Sequence, residues 1–223
     1  MTPEVDYRSF RLRWINEPQF RHLWWLLFFP LYWLRYPLIE NLNPAQYYHP
    51  SSCPLDDWIP FSEWFIIPYG LWMVCLLALC LYTLLYDTDS FRRYMKYLSI
   101  TMAISTVIFL LYPSCQNLRP AQLPERNILC AVVELLYTAD TNTNVFPSEH
   151  VTGALVMWVA AMHTESLRKW WSITAVTVLV LLICASTVFL KQHSVLDVAA
   201  AVPVCAIAYP FCYPNKKRAS ARK

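Results

Sequence analysis

The sequence predicts an all-α membrane protein, a bundle of six transmembrane helices with its candidate functional residues gathered at one set of helix ends. Three observations carry that expectation. Of 223 residues, 57% are hydrophobic and only 15% charged, which is too apolar for a soluble domain of this length. The apolar residues come in six blocks, each near the roughly 20 residues that a bilayer crossing needs. The basic residues collect on alternate connections between the blocks, the bias that orients helical membrane proteins.

Residues 1–22 are basic and aromatic, with Arg8, Arg11, Arg13 and Arg21, a composition suited to an amphipathic segment on the inner membrane surface. The first block, residues 23–39, contains Pro30 and Arg35, and no small-x-small cleavage pattern follows it. It reads as a retained signal-anchor. Residues 41–61 are rich in proline, tyrosine and aspartate and should form an irregular outer loop, because lipid leaves exposed peptide groups unsatisfied. Residues 64–86 and 170–190 are the two most uniformly apolar blocks. Residues 97–112 form the third block. The loop after it contains residues 128–137, apolar but too short to span, for which a short helix roofing the site or lying on the surface is expected. In the fourth block, residues 148–167, the purely apolar core is only 151–162. Residues 195–213 form the sixth, and 214–223 a basic tail. Trp64, Trp170 and Trp171 stand at block ends, where aromatic belts occur. No second domain, repeat or low-complexity tract interrupts this plan.

With an inside amino terminus, the inside segments hold Arg8, Arg11, Arg13 and Arg21, then Arg92, Arg93 and Lys96, then Arg168 and Lys169, then Lys216, Lys217, Arg218, Arg222 and Lys223. These are fourteen of the 18 basic residues. The net charge of +3 therefore reports loops against anionic lipid heads rather than a nucleic-acid partner. The same orientation places the amino-terminal ends of the fourth and sixth spans on the outer face. Of the eight cysteines, Cys75, Cys80, Cys184 and Cys205 lie within spans, where cysteine acts as a small hydrophobe. Cys53, Cys115 and Cys130 fall in outer loops. Their spacing matches no metal site, and free thiols are expected over a Cys53–Cys115 disulfide.

Two segments carry chemistry. His193 and Asp197 are four residues apart and share a helix face. Asp197 can accept a hydrogen bond from one ring nitrogen, which fixes the tautomer and frees the other nitrogen as a nucleophile. An incidental surface His beside a helix-start Asp is the plain alternative. However, an ionised side chain one turn into a span costs about 3 kcal/mol and usually marks function. In the second segment, Pro147 and Ser148 form a helix start with Ser148 as cap. The unpaired amides of such a first turn, with the helix dipole, cradle phosphate. His150 beside them could protonate a leaving alkoxide. Taken alone, this segment would be a simple cap. Arg119 and Lys191 are the nearby outer cations that can clamp phosphoryl oxygens. Solvated loop charge is the alternative for both. Glu63, Glu134 and the Asp56–Asp57 pair read as solvated or interfacial, and Arg35 as a structural partner of Glu40 or Glu63.

Arg119-Pro120, then Pro147-Ser148-Glu149-His150, then Ser186-Thr187 with His193 and Asp197 resemble the three signatures of the type 2 phosphatidic acid phosphatase superfamily. Bacterial acid phosphatases, vanadium haloperoxidases and lipid phosphotransferases are among its members. The resemblance spans residues 97–213, which would be the catalytic core. It implies metal-independent, cofactor-free phosphoryl transfer through a phosphohistidine. His193 would attack phosphorus, Asp197 would orient it, and His150 would protonate the departing alcohol. Arg119, the first-turn amides at Ser148, and Lys191 would hold the developing charge, and water would release phosphate from a membrane lipid phosphate. The expected location is the plasma membrane, with both termini cytoplasmic and the site outside. Head-group transfer to an alcohol acceptor, and a silent phospholipid-binding protein, are the alternative functions. Three positions depart from the signatures. Tyr112 stands in place of lysine, Glu149 in place of glycine, and Thr187 in place of arginine.

Overall fold

The computed structural model describes residues 3–42, 47–124 and 126–214. Among them are seven α-helices: α1 (Phe28–Leu42), α2 (Ile66–Tyr86), α3 (Thr88–Leu111), α4 (Ile128–Ala139), α5 (Glu149–His163), α6 (Trp170–Phe189) and α7 (Val195–Cys212). The chain is mostly helical, as its composition requires. Four helical segments, Glu63–Tyr86, Thr88–Leu111, Trp170–Phe189 and Val195–Cys212, are long and apolar enough to cross a membrane. Helices α1 and α5, on the two remaining expected spans, have 15 residues each, about 22 Å at 1.5 Å per residue. A 3₁₀ segment, Arg21–Leu27, precedes α1, and a 3₁₀ turn, Glu165–Leu167, follows α5.

The third block begins earlier than the apolar run suggests, at Thr88 rather than Tyr97. Asp87 caps α3 through its Oδ1, which accepts the Ser90 N–H at 2.8 Å. Arg92, Arg93 and Lys96, all good helix formers, ride on its first turns. The amino-terminal segment packs on this same corner. The Glu4 N–H donates to the Leu85 carbonyl at 2.9 Å, and the Thr88 N–H donates to Glu4 Oε2 at 2.6 Å. Tyr7 Oη donates to the Leu84 carbonyl at 2.9 Å and lies 2.7 Å from His22 Nε2. The expected basic tail lies outside the described residues, apart from Pro214.

Helix α5 is central, packing against α2, α3, α6 and α7. It buries Gly153, Ala154, Ala160 and Ala161 along its length, small residues that let neighbouring backbones approach closely. At Gly153 the approach is close. A Cβ there would fall 2.8 Å from Trp72 Nε1, so any larger residue would displace the indole. Tyrosine hydroxyls serve the buried backbone, Tyr94 donating to the Leu76 carbonyl at 3.1 Å and Tyr97 to the Cys205 carbonyl at 2.9 Å.

The loops at the far end of α5 from His163 are knitted together. A two-residue strand, β1 (His49–Pro50), pairs in parallel with β2 (Ser114–Cys115). Cys115 also bridges Thr143 in antiparallel fashion. The expected short helix after the third block is present as α4, capped by Asn127, whose side chain accepts the Cys130 N–H at 2.8 Å. All eight cysteines are free.

Candidate active site

His150 and His193 reach one place from two helix starts. Ser148 caps α5, its hydroxyl accepting the Val151 N–H at 3.4 Å, so His150 stands in the first turn. Ser194 and Asp197 form a capping box on α7, with the Ser194 N–H donating to Asp197 Oδ2 at 2.9 Å. His193 is therefore held just ahead of that helix. The Ser148 N–H donates to the Asp197 carbonyl at 3.1 Å, which joins the two starts directly. The imidazole centroids are 6.0 Å apart, with their planes inclined by 56°. Both rings line a cavity of about 320 Å³, together with Arg35, Glu40, Asp140, Asn144, Glu149 and Gln192 and the aromatic side chains of Tyr32, Tyr36 and Trp72.

The rings are held differently. Nδ1 of His193 lies 3.1 Å from the Val145 carbonyl. A carbonyl only accepts, so this nitrogen carries the proton and Nε2 keeps its lone pair. Nε2 makes no hydrogen bond among the described residues. Asp197 lies 3.4 Å from Nδ1, but its oxygens serve Ser194 N–H and the Ser51 hydroxyl. The expected tautomer is thus set by a backbone acceptor, with the fully buried Asp197 carboxylate beside it. His150 is held by packing: its ring stacks on Tyr69 at 4.3 Å and tilts against Trp72 at 4.4 Å. Among the described residues the only polar contact of its ring is Nδ1 to Tyr69 Oη at 3.5 Å, and Tyr69 Oη also lies 3.4 Å from Asp140 Oδ2. Burial raises the Asp140 carboxyl above its ordinary value, while His193 and Arg119 pull the other way.

Two of the expected phosphate clamps face elsewhere. Arg119 lies over the Tyr137 ring at 4.6 Å. It donates to the carbonyls of Tyr137 at 3.1 Å, and Asp140 and Thr141 at 3.0 Å, a cation closing the end of α4. It also donates to Gln192 Oε1, and Gln192 Nε2, buried at the cavity, has no partner among the described residues. Lys191 adopts φ 54°, and its ammonium donates to the carbonyls of Asp56, at 2.7 Å, and Ile59. Neither Arg119 nor Lys191 lines the cavity.

Three sequence expectations about charge are corrected. Arg35 pairs with neither Glu40 nor Glu63. It grips Glu149 with two hydrogen bonds of 2.7 and 2.6 Å, because α1 lies against α3 and the start of α5. Asp56 is buried rather than solvated. It accepts from Ser194 Oγ at 2.6 Å, the Val195 N–H at 2.8 Å and the Cys53 N–H at 2.7 Å. Burial works against its ionisation, but these hydrogen bonds prevail and hold it below the ordinary carboxylate range. Glu63 is buried too, accepting from Asn127 Nδ2 at 3.1 Å.

The departures from the signatures have clear surroundings. Tyr112 stacks on His49 at 4.2 Å. Thr187 is buried, donating to the Cys184 carbonyl, while its own carbonyl accepts the N–H groups of Gln192 and His193. Tyr69, Asp140 and Gln192 have no short-range pattern in the sequence to mark them, and Arg35 stands out there only as a structural partner of Glu40 or Glu63, not as part of the cavity lining. Among the described residues no cluster of three or more His, Cys, Asp or Glu side chains is placed to hold a metal ion.

A family model described as the PAP2 superfamily matches residues 93–220, more than half of the chain. No curated protein and no solved structure matches.

Proposed function

The chain belongs to the PAP2 superfamily, and on that premise we propose that it is an integral-membrane lipid phosphate phosphatase working through a phosphohistidine on His193. The observation that carries this reading is the pair of imidazoles, 6.0 Å apart on one cavity, one with a free Nε2. In the proposed reaction Nε2 of His193 attacks phosphorus and the bond to the lipid alkoxide breaks. His150 gives that alkoxide its proton. Water, deprotonated by His150, then attacks the phosphohistidine, and phosphate leaves with His193 restored. Nδ1–H, anchored on Val145, keeps the ring aimed as positive charge develops on it. The Asp197 carboxylate, 3.4 Å away, balances that charge. Ser148 presents the first-turn amides of α5 to the phosphoryl oxygens, and Arg119 supports Gln192 at their edge. Lys191 contributes to the positive field while bracing the loop below α7.

The same reading has six bilayer crossings, a site facing away from the cytosol and residence in the plasma membrane. Its support is the distribution of charge: Arg92, Arg93, Lys96, Arg168 and Lys169 belong to the end opposite the histidines, where Lys96 Nζ reaches the Phe211 carbonyl at 2.9 Å. Basic residues favour the cytoplasmic side.

One observation favours a second reading, transfer of the head group to an alcohol. Tyr112 and Thr187 are uncharged, and Arg119 and Lys191 are tied to carbonyls. That leaves less free positive charge than a phosphomonoester dianion calls for, and a diester carries only one negative charge. The test is a lipid screen with the full chain in detergent, using phosphatidate, a polyprenyl pyrophosphate and a phosphodiester lipid with added alcohol. Phosphate release lost in His193→Ala is the expected result. Head-group exchange without phosphate release would establish the second reading. Full activity in His193→Ala would overturn both.

A further inference from the structure

Among the described residues lining the cavity, Arg35 carries the only guanidinium or ammonium group. It sits on α1, outside residues 93–220, and both of its terminal nitrogens are already engaged. Nη1 donates to Glu149 Oε1 at 2.7 Å and to Thr106 Oγ1 at 2.6 Å, and Nη2 donates to Glu149 Oε2 at 2.6 Å. Nε is buried with no partner among the described residues. The guanidinium stands 4.8 Å from the Tyr32 ring centroid, and the Tyr32 hydroxyl donates to the same Glu149 carboxylate at 3.0 Å. Arg35 and Glu149 are each mostly buried, with 16% and 13% of their side chains exposed.

Glu149 precedes His150 in sequence and stands where the signature carries glycine. It therefore puts a fixed negative charge beside the place where phosphoryl oxygens must lie, and Arg35 neutralises it. A guanidinium fork accepts a phosphoryl group in the same two-bond geometry as a carboxylate. We propose that Arg35 is the cation that receives the substrate's phosphoryl oxygens in this chain, and that Glu149 is a resident carboxylate displaced from it when they bind. This rests on the phosphoryl-transfer reading above. On displacement, the phosphoryl oxygens take the Nη donors and reach the unpartnered Nε, while Glu149 retains the Tyr32 hydroxyl. No bond is made or broken at Arg35 or Glu149. Phosphate affinity is therefore set by a competition between two anions for one cation, and removing the resident anion strengthens binding.

The experiment measures binding of inorganic phosphate and of orthovanadate to the full chain in detergent, by calorimetry and by inhibition of lipid turnover. The variants are Glu149→Gln, Arg35→Lys in the Glu149→Gln background, and the double variant Arg35→Gln/Glu149→Gln. The last of these removes both charges together, so it leaves no orphaned ion to unfold the protein, and its thermal transition checks folding. The expected result is phosphate binding about tenfold tighter in Glu149→Gln. Binding should be weaker than wild type in Arg35→Gln/Glu149→Gln, and intermediate when Arg35→Lys is combined with Glu149→Gln. Unchanged or weaker binding in Glu149→Gln, or equal binding in Glu149→Gln and Arg35→Gln/Glu149→Gln, would overturn the assignment. Either of those binding results, found while wild type turns over a lipid phosphate and His193→Ala does not, removes Arg35's role and leaves the proposed function standing. Absence of phosphate binding in every protein, together with absence of turnover in wild type, removes both.

Discussion

His193 and His150 both open a helix beside the same cavity, yet they are secured by different physics. His193 is fixed by hydrogen bonds: Nδ1 on the Val145 carbonyl, with the Asp197 carboxylate at 3.4 Å. That arrangement specifies one tautomer and one direction for the free nitrogen. His150 is fixed by surfaces: Tyr69 and Trp72 hold its ring at 4.3 and 4.4 Å, and its polar contact to Tyr69 Oη is 3.5 Å long. Packing sets where a ring lies without dictating which nitrogen holds the proton. The first arrangement suits a nucleophile that must point the same way in every cycle. The second suits a group that gives up a proton and takes it back.

The sharpest way to break the comparison is to delete each ring and vary the leaving group. His193→Ala should lower turnover by about 10³-fold or more on every substrate, because the proposed nucleophile is gone. His150→Ala should cost about 10²–10⁴-fold with an alkoxide leaving group, but much less with an aryl phosphate, whose departing phenolate needs no proton. Equal losses on both substrates would deny the two rings separate roles. Wild-type turnover should also pass through a maximum with pH, because attack needs neutral His193 and departure needs protonated His150. EDTA should leave the rate unchanged.

Packing around His150 offers a second test. Gly153→Ala places a methyl 2.8 Å from Trp72 Nε1 and should push the indole off the imidazole. We expect a loss of about tenfold or more in turnover on alkoxide substrates, with little change in phosphate binding. A fully active Gly153→Ala protein would show that Trp72 does not position His150. Tyr69→Phe keeps the stacking and deletes the hydroxyl between His150 and Asp140. It should shift the alkaline limb of the pH profile, where His150 loses its proton, with a smaller change in maximal rate, about threefold.

The hydrogen-bonded side has a stability counterpart in Asp56, which ties the 53–57 loop to the start of α7. Asp56→Ala should cost about 2–3 kcal/mol by leaving one buried and two part-buried donors unsatisfied, measured as a lowered thermal transition. The folded pKa of Asp56 is depressed. Its stabilisation is therefore present above its ordinary value of 3.8 and is lost as pH falls from there through the folded value. The variant and wild type should converge in stability in strong acid. A constant difference at all pH values would mean that the hydrogen bonds do not depend on the charge.

Helix content, the cap at Ser148, the short helix α4 and the closeness of His193 to Asp197 were legible in the sequence, because each rests on a local signal: apolar periodicity, a capping residue, or a spacing of four. The approach of His150 to His193 has no local signal; it was expected only from the charge-derived orientation of the spans and the family resemblance. The start of α3 was obscured because Arg92, Arg93 and Lys96 are polar yet helical, and hydropathy marks only the apolar part of a helix. Arg35's partner, 114 positions away, has no local signature. The Val145 carbonyl is a backbone acceptor, which no residue name advertises. Asp56 reads as a loop acid until the start of α7 brings two donors to it, Ser194 Oγ and the Val195 N–H, beside the local Cys53 N–H. In each case the missing information was which loop covers which helix end, and that is settled by tertiary packing.

The most direct measurement is chemical: brief reaction of the full chain with a phosphorus-labelled aryl phosphate ester, then quenching in base and mapping of the label by mass spectrometry. A base-stable, acid-labile phosphoryl group on His193 is expected. It should be more abundant in His150→Ala, where water is no longer activated, and absent in His193→Ala. A label on any other residue, or turnover with no labelled protein in either background, would contradict the division of labour between the two rings.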